Sequence, residues 1–274
     1  MVYQELATET SASIPLEKSG IDRYEKVSVF ANTRTVFIRE NNTIEDAVYQ
    51  IIQSGHRSIP ILSKDHHLLG IITTPDLLNA FLQNRSFYDT IKTIMTREVI
   101  FVNDDDSIGL ALQKMKISRR GRLPVLRKKK LVGMISEYDI IKFFAHTNLG
   151  FQVSSIMTRK PLFINPDISI FDVIKILANT KYRRLPVVEN GKVVGIITAS
   201  DMLKYLRNSD FRLAELYHPL DTLLRKKVFS VERHKDVSEA IRLMLIHNVS
   251  GILVVDNEKL EGIVTERDVI NHII

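Results

Sequence analysis

Four times the sequence sets a hydroxyl and a carboxylate three residues apart, directly after a short apolar segment. The copies are GIITTPD (Gly70 to Asp76), GMISEYD (Gly133 to Asp139), GIITASD (Gly195 to Asp201) and GIVTERD (Gly262 to Asp268). Two chemistries fit Thr/Ser-x-x-Asp where a helix begins. In the first, the hydroxyl caps the helix and the carboxylate reaches back to the cap's own N–H, a purely structural device. In the second, the carboxylate accepts from the 2′ and 3′ hydroxyls of one ribose, as acidic residues do in other nucleotide folds, while the helix end faces a phosphate. A capping box works with Glu or Gln, whereas all four copies use Asp, a shorter side chain that suits a carboxylate held at fixed depth. Asp76, Asp139, Asp201 and Asp268 are therefore the candidate ribose ligands. Thr73, Ser136, Thr198 and Thr265 would cap the helix and touch ribose or phosphate.

A second chemistry-bearing position lies upstream, just before an apolar hinge that reads SIPIL, RLPVL, RLPVV and GILVV in the four copies. Copy one places His56 and Arg57 there, copy two Arg120 and Arg122, and copy three Arg183 and Arg184. Copy four has Val249, Ser250 and Gly251, with no basic side chain, and Leu253 replaces the proline. Arginine is always charged and grips phosphate with two donors, so these six are the candidate phosphate ligands. The plainer reading is charge at a strand edge, which discourages strand-to-strand aggregation.

These positions need a scaffold, and the scaffold repeats. The final Asp of the phrase falls at 76, 139, 201 and 268, a period of about 60 residues. Each copy opens its helical stretch with a capping residue: Thr43, Ser107, Ser169 and Asp236. In copy three Ile170, Val173, Ile174 and Leu177 follow the helical i, i+3, i+4, i+7 spacing. A β-branched hairpin follows, with a turn such as Glu189 to Lys192, and then a second amphipathic helix after the Asp. One repeat reads strand, helix, strand, strand, helix. A unit so small buries too little to stand alone, so the copies should pair.

The pattern resembles the CBS domain, over roughly residues 26 to 274, and IMTR at Ile94 to Arg97 and again at Ile156 to Arg159 is a further family feature. Copy one shows FANT at that place (Phe30 to Thr33) and copy four LLRK (Leu223 to Lys226). The resemblance implies an α+β fold of four CBS repeats joined as two Bateman modules facing one another in a flat disk, as in the γ subunits of AMP-activated protein kinases and their archaeal relatives. The expected division is an N-terminal tail or edge strand (1–25), then repeats at 26–86, 87–148, 149–208 and 209–274, with the module boundary near Ala145 to Gln152. It also implies that the basic residues point to the disk centre and that adenine lies in an apolar slot near Val36, Ile100, Leu162 and Phe229. These four take matching places on the first strand of each copy and read as core residues.

Such a chain would be a non-catalytic sensor of AMP, ADP or ATP, with magnesium accompanying ATP but no metal required. It would relay ligand state to a kinase or other effector, or to a second copy of itself. An alternative is a nucleic-acid-associated protein using the repeats as scaffold, with Lys128 to Lys130 and Arg225 to Lys227 meeting phosphates. Another is S-adenosylmethionine as ligand, which shares the ribose and leaves the arginines idle. The net charge of +6 is no nucleic-acid footprint, and aromatics at 7% offer no stacking surface. The absence of cysteine excludes disulfides and thiolate chemistry. No P-loop, nucleophile elbow or metal-ligand spacing is present. With no apolar run of ~18–20 residues and no signal-like N-terminus, a cytoplasmic protein is expected.

Overall fold

The computed structural model describes residues 13–212, 216–223 and 227–273. The first repeat runs α1 (Val27–Phe30), β1 (Ile38–Arg39), α2 (Ile44–Ser54), β2 (Ser58–Leu62), β3 (Leu68–Thr73) and α3 (Thr74–Leu82). The second runs β4 (Val102–Asn103), α4 (Ile108–Ser118), β5 (Arg122–Arg127), β6 (Lys130–Ser136) and α5 (Glu137–Ile141). The third comprises β7 (Thr158–Arg159), α6 (Ile170–Asn179), β8 (Arg184–Glu189), β9 (Lys192–Thr198) and α7 (Ala199–Asn208). The fourth comprises β10 (Ser230–Val231), α8 (Val237–Ile246), β11 (Gly251–Asp256), β12 (Lys259–Thr265) and α9 (Glu266–His272). No helix among the described residues is long and apolar enough to cross a membrane.

Local chemistry explains the elements. Thr43, Ser107 and Ser169 cap α2, α4 and α6 through their hydroxyls, and Asp236 caps α8 with its carboxylate. The hairpin turns use left-handed residues in sequence, Lys128–Lys129, Asn190–Gly191 and Asn257–Glu258, which match the twist of the paired strands. Within a repeat the short first strand pairs parallel to the hairpin, as Ile38 with Ile61 and Val102 with Val125, and the hairpin itself is antiparallel.

Two kinds of contact join the repeats, and they join different partners. Strands connect one with two and three with four, because the leading segments of repeats one, two and three cross to their neighbours. Asn32 bridges Met134 and Thr96 bridges Ile71, while Thr158 and Arg159 pair with Ile263 and Gly262 of β12. Helices do otherwise: α3 packs on α6 and α7, and α5 packs on α9. Repeats one and three therefore share one hydrophobic core, and repeats two and four share the other.

Close approach at the crossings demands glycine. A Cβ at Gly70 would lie 2.8 Å from Met95 Sδ and 2.9 Å from Thr96 O, and at Gly262 equally close to Met157 and Thr158. Since a backbone oxygen cannot swing aside, Gly70→Ala and Gly262→Ala are each expected to destabilise by about 1–3 kcal/mol. Urea unfolding midpoints check this.

Residues 13–25 are not a free tail. Ile14, Leu16 and Ile21 are buried in the core of repeats two and four, and Ile14 makes a parallel bridge with Ile273. Residues 1–12 lie outside the described part.

Candidate functional site

Each Thr/Ser-x-x-Asp phrase closes a capping box on the helix it begins. The Asp Oδ2 accepts from the cap's backbone N–H at 2.8 Å in the first copy and 2.9 Å in the second and third. In the first and third it also accepts from the cap hydroxyl, at 2.6 Å. Asp is thus long enough to complete the box, and its choice over Glu is no mark of a ligand. Thr43 and Asp46 build the same box on α2, and neither lines the central cavity described below. Location, rather than spacing, separates the two cases.

A cavity of about 930 Å³ opens at the junction of all four repeats. Thr73, Asp76, Ser136, Asp139, Thr198 and Asp201 line it, and so do His56, Arg57, Arg120, Arg122, Arg183 and Arg184. So do Val36, Ile100 and Phe229. Thr265, Asp268 and Leu162 do not. The exchange of leading segments sets Thr158, just ahead of Leu162, against the Asp268 carboxylate, with the hydroxyl donating to Oδ1 at 3.5 Å. Burial raises the pKa of Asp268, although the Thr265 hydroxyl and N–H oppose the shift. The expectation that the four apolar positions are core residues holds for two of them: Val36 and Phe229 are half-buried and packed against the two cores, whereas Ile100 and Leu162 are 42% and 41% exposed.

The arginines converge although they come from different repeats. Arg184 lies across repeat four, donating to Ser250 Oγ, and a Cβ at Gly251 would sit 3.1 Å from its Cζ. The basic side chain missing from copy four is supplied by copy three. The surrounding protein strips water from Arg184 and Arg57 adds like-charge repulsion, pressing its pKa down to about 9, so it keeps its proton at neutral pH. Desolvation followed by repulsion from other guanidiniums also lowers Arg122 and Arg183. All three line the cavity. Desolvation, then Arg122, lowers His56 as well, which leaves its ring neutral near pH 7.

Two residues that the sequence reading passed over complete the centre. Glu137 and Glu266, the residues after Ser136 and Thr265, are 2% and 7% exposed, and both line the cavity. Glu137 pairs with Arg267, whose Nη1 also donates to Arg119 O at 2.7 Å. Glu266 lies 3.7 Å from Arg57, across the cavity from repeat four to repeat one. Copies one and three carry Thr74 and Ala199 at the same place. Gly121 admits this pairing, since a Cβ there would meet Glu137 Oε2 at 2.5 Å. The only sequence signal was an acidic residue in the first turn of a helix, which the helix dipole favours anyway.

Of the two basic clusters considered for nucleic acid, the structure describes Arg127 to Lys130 and Lys227. Arg127 is held by Asp104 at 2.5 Å, Lys128 and Lys129 form the turn, and Lys227 lines the cavity. Arg225 and Lys226 lie outside the described residues. Among the described residues, no group of three or more His, Asp or Glu is placed to hold a metal ion.

Comparison with known proteins fits this architecture. A 33.4 kDa protein in the ribosomal RNA operon of Thermofilum pendens is 26% identical over 261 residues, covering 86% of this chain and 87% of its own. MJ1225 of Methanocaldococcus jannaschii is 23% identical over 275 residues, covering 90% and 98%. Its crystal structure, that of a proposed archaeal homolog of γ-AMPK, superposes with a TM-score of 0.82 at 22% identity, covering 90% of this chain and 99% of that one. A conserved protein from Pyrococcus horikoshii superposes at 0.63, also at 22% identity, over 90% and 98%. These likenesses show a shared fold. The model of the CBS domain matches residues 27–83, 91–146, 153–208 and 220–274, so the chain belongs to the CBS domain family, with four copies in tandem.

Proposed function

We propose that the chain is a non-catalytic regulatory protein that binds adenine nucleotides in its central cavity and passes their phosphate state to a partner. One observation carries this reading: four guanidiniums from three repeats meet in one cavity whose rim carries three Ser/Thr-x-x-Asp carboxylates. Gathering like charges in one cavity is unfavourable unless an anion joins them. Phosphate is the fitting anion, because each guanidinium can donate to it twice.

Asp76, Asp139 and Asp201 would hold ribose, and their capping hydroxyls would fix the carboxylates in place. Asp268, which does not line this cavity, would act as a cap alone. Val36, Ile100 and Phe229 supply the apolar side on which adenine would rest. S-adenosylmethionine would bring a sulfonium cation toward a guanidinium cluster, so the cluster selects against it. Magnesium would enter only as a companion of ATP phosphates. A ligand that bridges arginines of different repeats binds one arrangement of the disk more tightly, which is how it would shift that arrangement for a kinase, another effector or a second copy of this chain.

Calorimetric titration of nucleotide-stripped protein with AMP, ADP, ATP, S-adenosylmethionine and adenosine tests the proposal. Binding of the phosphorylated adenylates well ahead of adenosine and S-adenosylmethionine is the expected result. Absence of heat with every adenylate at millimolar concentration would remove it and leave the repeats a scaffold.

A further inference from the structure

Glu266 holds a place that neither capping nor ribose chemistry accounts for. It is the first residue of α9, buried, with a carboxylate oxygen 3.7 Å from Arg57 Nη1. Arg122, Arg183 and Arg184 all lie within its electrostatic reach. Its counterpart Glu137 is already paired with Arg267. Glu266 is thus the carboxylate that four cavity arginines share.

We propose that Glu266 is a specificity residue: its carboxylate occupies the ground toward which a ligand's outermost phosphate is drawn, and so limits how many phosphates the cavity accepts. The inference rests on the nucleotide reading above. Carboxylate and phosphate oxygens accept hydrogen bonds from the same guanidiniums, so they compete for donors while repelling one another. Salt screens a buried charge poorly, so every added phosphate meets this fixed negative charge at nearly full strength. Desolvation already disfavours the ionised form of Glu266, with Arg57 the main opposing influence.

Repeat three shows what the fold looks like without the carboxylate. Ala199 stands at the equivalent position and α7 forms normally with its box intact. Glu266→Ala therefore has a structural precedent within the chain, and Glu266→Gln keeps the size while discarding the charge.

The test is calorimetric titration of stripped wild type, Glu266→Gln and Glu266→Ala with adenosine, AMP, ADP, ATP and inorganic pyrophosphate. Removing one charge at this range should tighten ATP and pyrophosphate about tenfold and AMP only about two- to threefold. Adenosine should be unaffected. Identical ratios among AMP, ADP and ATP in the three proteins would overturn the assignment, and so would phosphates that bind more weakly to both variants. If no nucleotide binds but pyrophosphate tightens in the variants, the nucleotide reading falls and Glu266 keeps its role. If nucleotides bind in an unchanged order, the nucleotide reading survives and the role of Glu266 is lost.

Discussion

Replacing Arg183 and Arg184 together by Met is expected to lower affinity for ADP and ATP about a hundredfold or more, since each charge-assisted bond is worth roughly 1.5–3 kcal/mol. Adenosine binding should be unchanged. Methionine retains the apolar stem of the arginine, so the packing along β8 survives while the charge goes. The diagnostic part is the effect on the empty protein. Both guanidiniums are desolvated and repelled by Arg57, and Arg183 is repelled by Arg267 as well, so removing them relieves like-charge crowding. The melting temperature of the ligand-free double variant should hold or rise. Arginines kept for stability would give the opposite pattern, with melting falling and nucleotide affinity little changed.

The second large effect concerns the carboxylates. Asp139→Asn keeps an oxygen that can accept from the Ser136 N–H, so α5 should remain capped and stability should change by less than about 1 kcal/mol. At its ribose, however, the substitution puts an NH₂ donor where a second acceptor is needed, and binding at that site should weaken at least tenfold or so. Asp268→Asn is the internal control. It makes the same change to the same box, at a carboxylate outside the cavity, and should leave every nucleotide titration as it was. Equal losses in the two variants would mean that the phrase caps helices and does nothing else.

How far the sequence announces this molecule depends on the element. The helices, the hairpins and their turns follow from caps, period and β-branched runs, because those signals are local. Asn190–Gly191 in ENGK dictates its own hairpin. What could not be seen is which repeats share a core. The apolar faces of α2, α6 and the other helices are interchangeable as hydrophobic patterns, so nothing in Ile170 or Val173 says that repeat three will cover repeat one. The contact of the Thr158 hydroxyl with Asp268 depends on that long-range arrangement and was equally invisible. The same holds for Arg184 serving copy four: the gap at Ser250 and Gly251 was legible, the side chain that fills it was not. Glu137 and Glu266 were hidden differently. They sit in the variable positions of the phrase, where copies one and three place Thr74 and Ala199, and a comparison of copies treats such positions as filler.

The two pairings of the repeats have a consequence for the order in which the protein can mature on the ribosome. The core that includes Ile44 and Leu77 of repeat one also needs Val173 and Leu203, so it stays uncovered until repeat three has emerged. The other core joins Ile14 and Leu16 to Val269 and Ile273, so residues ahead of repeat one wait for the last helix of repeat four. Nascent chains of one or two repeats therefore carry wet apolar helix faces. Such chains are natural clients for chaperones, because exposed apolar surface of this kind invites aggregation.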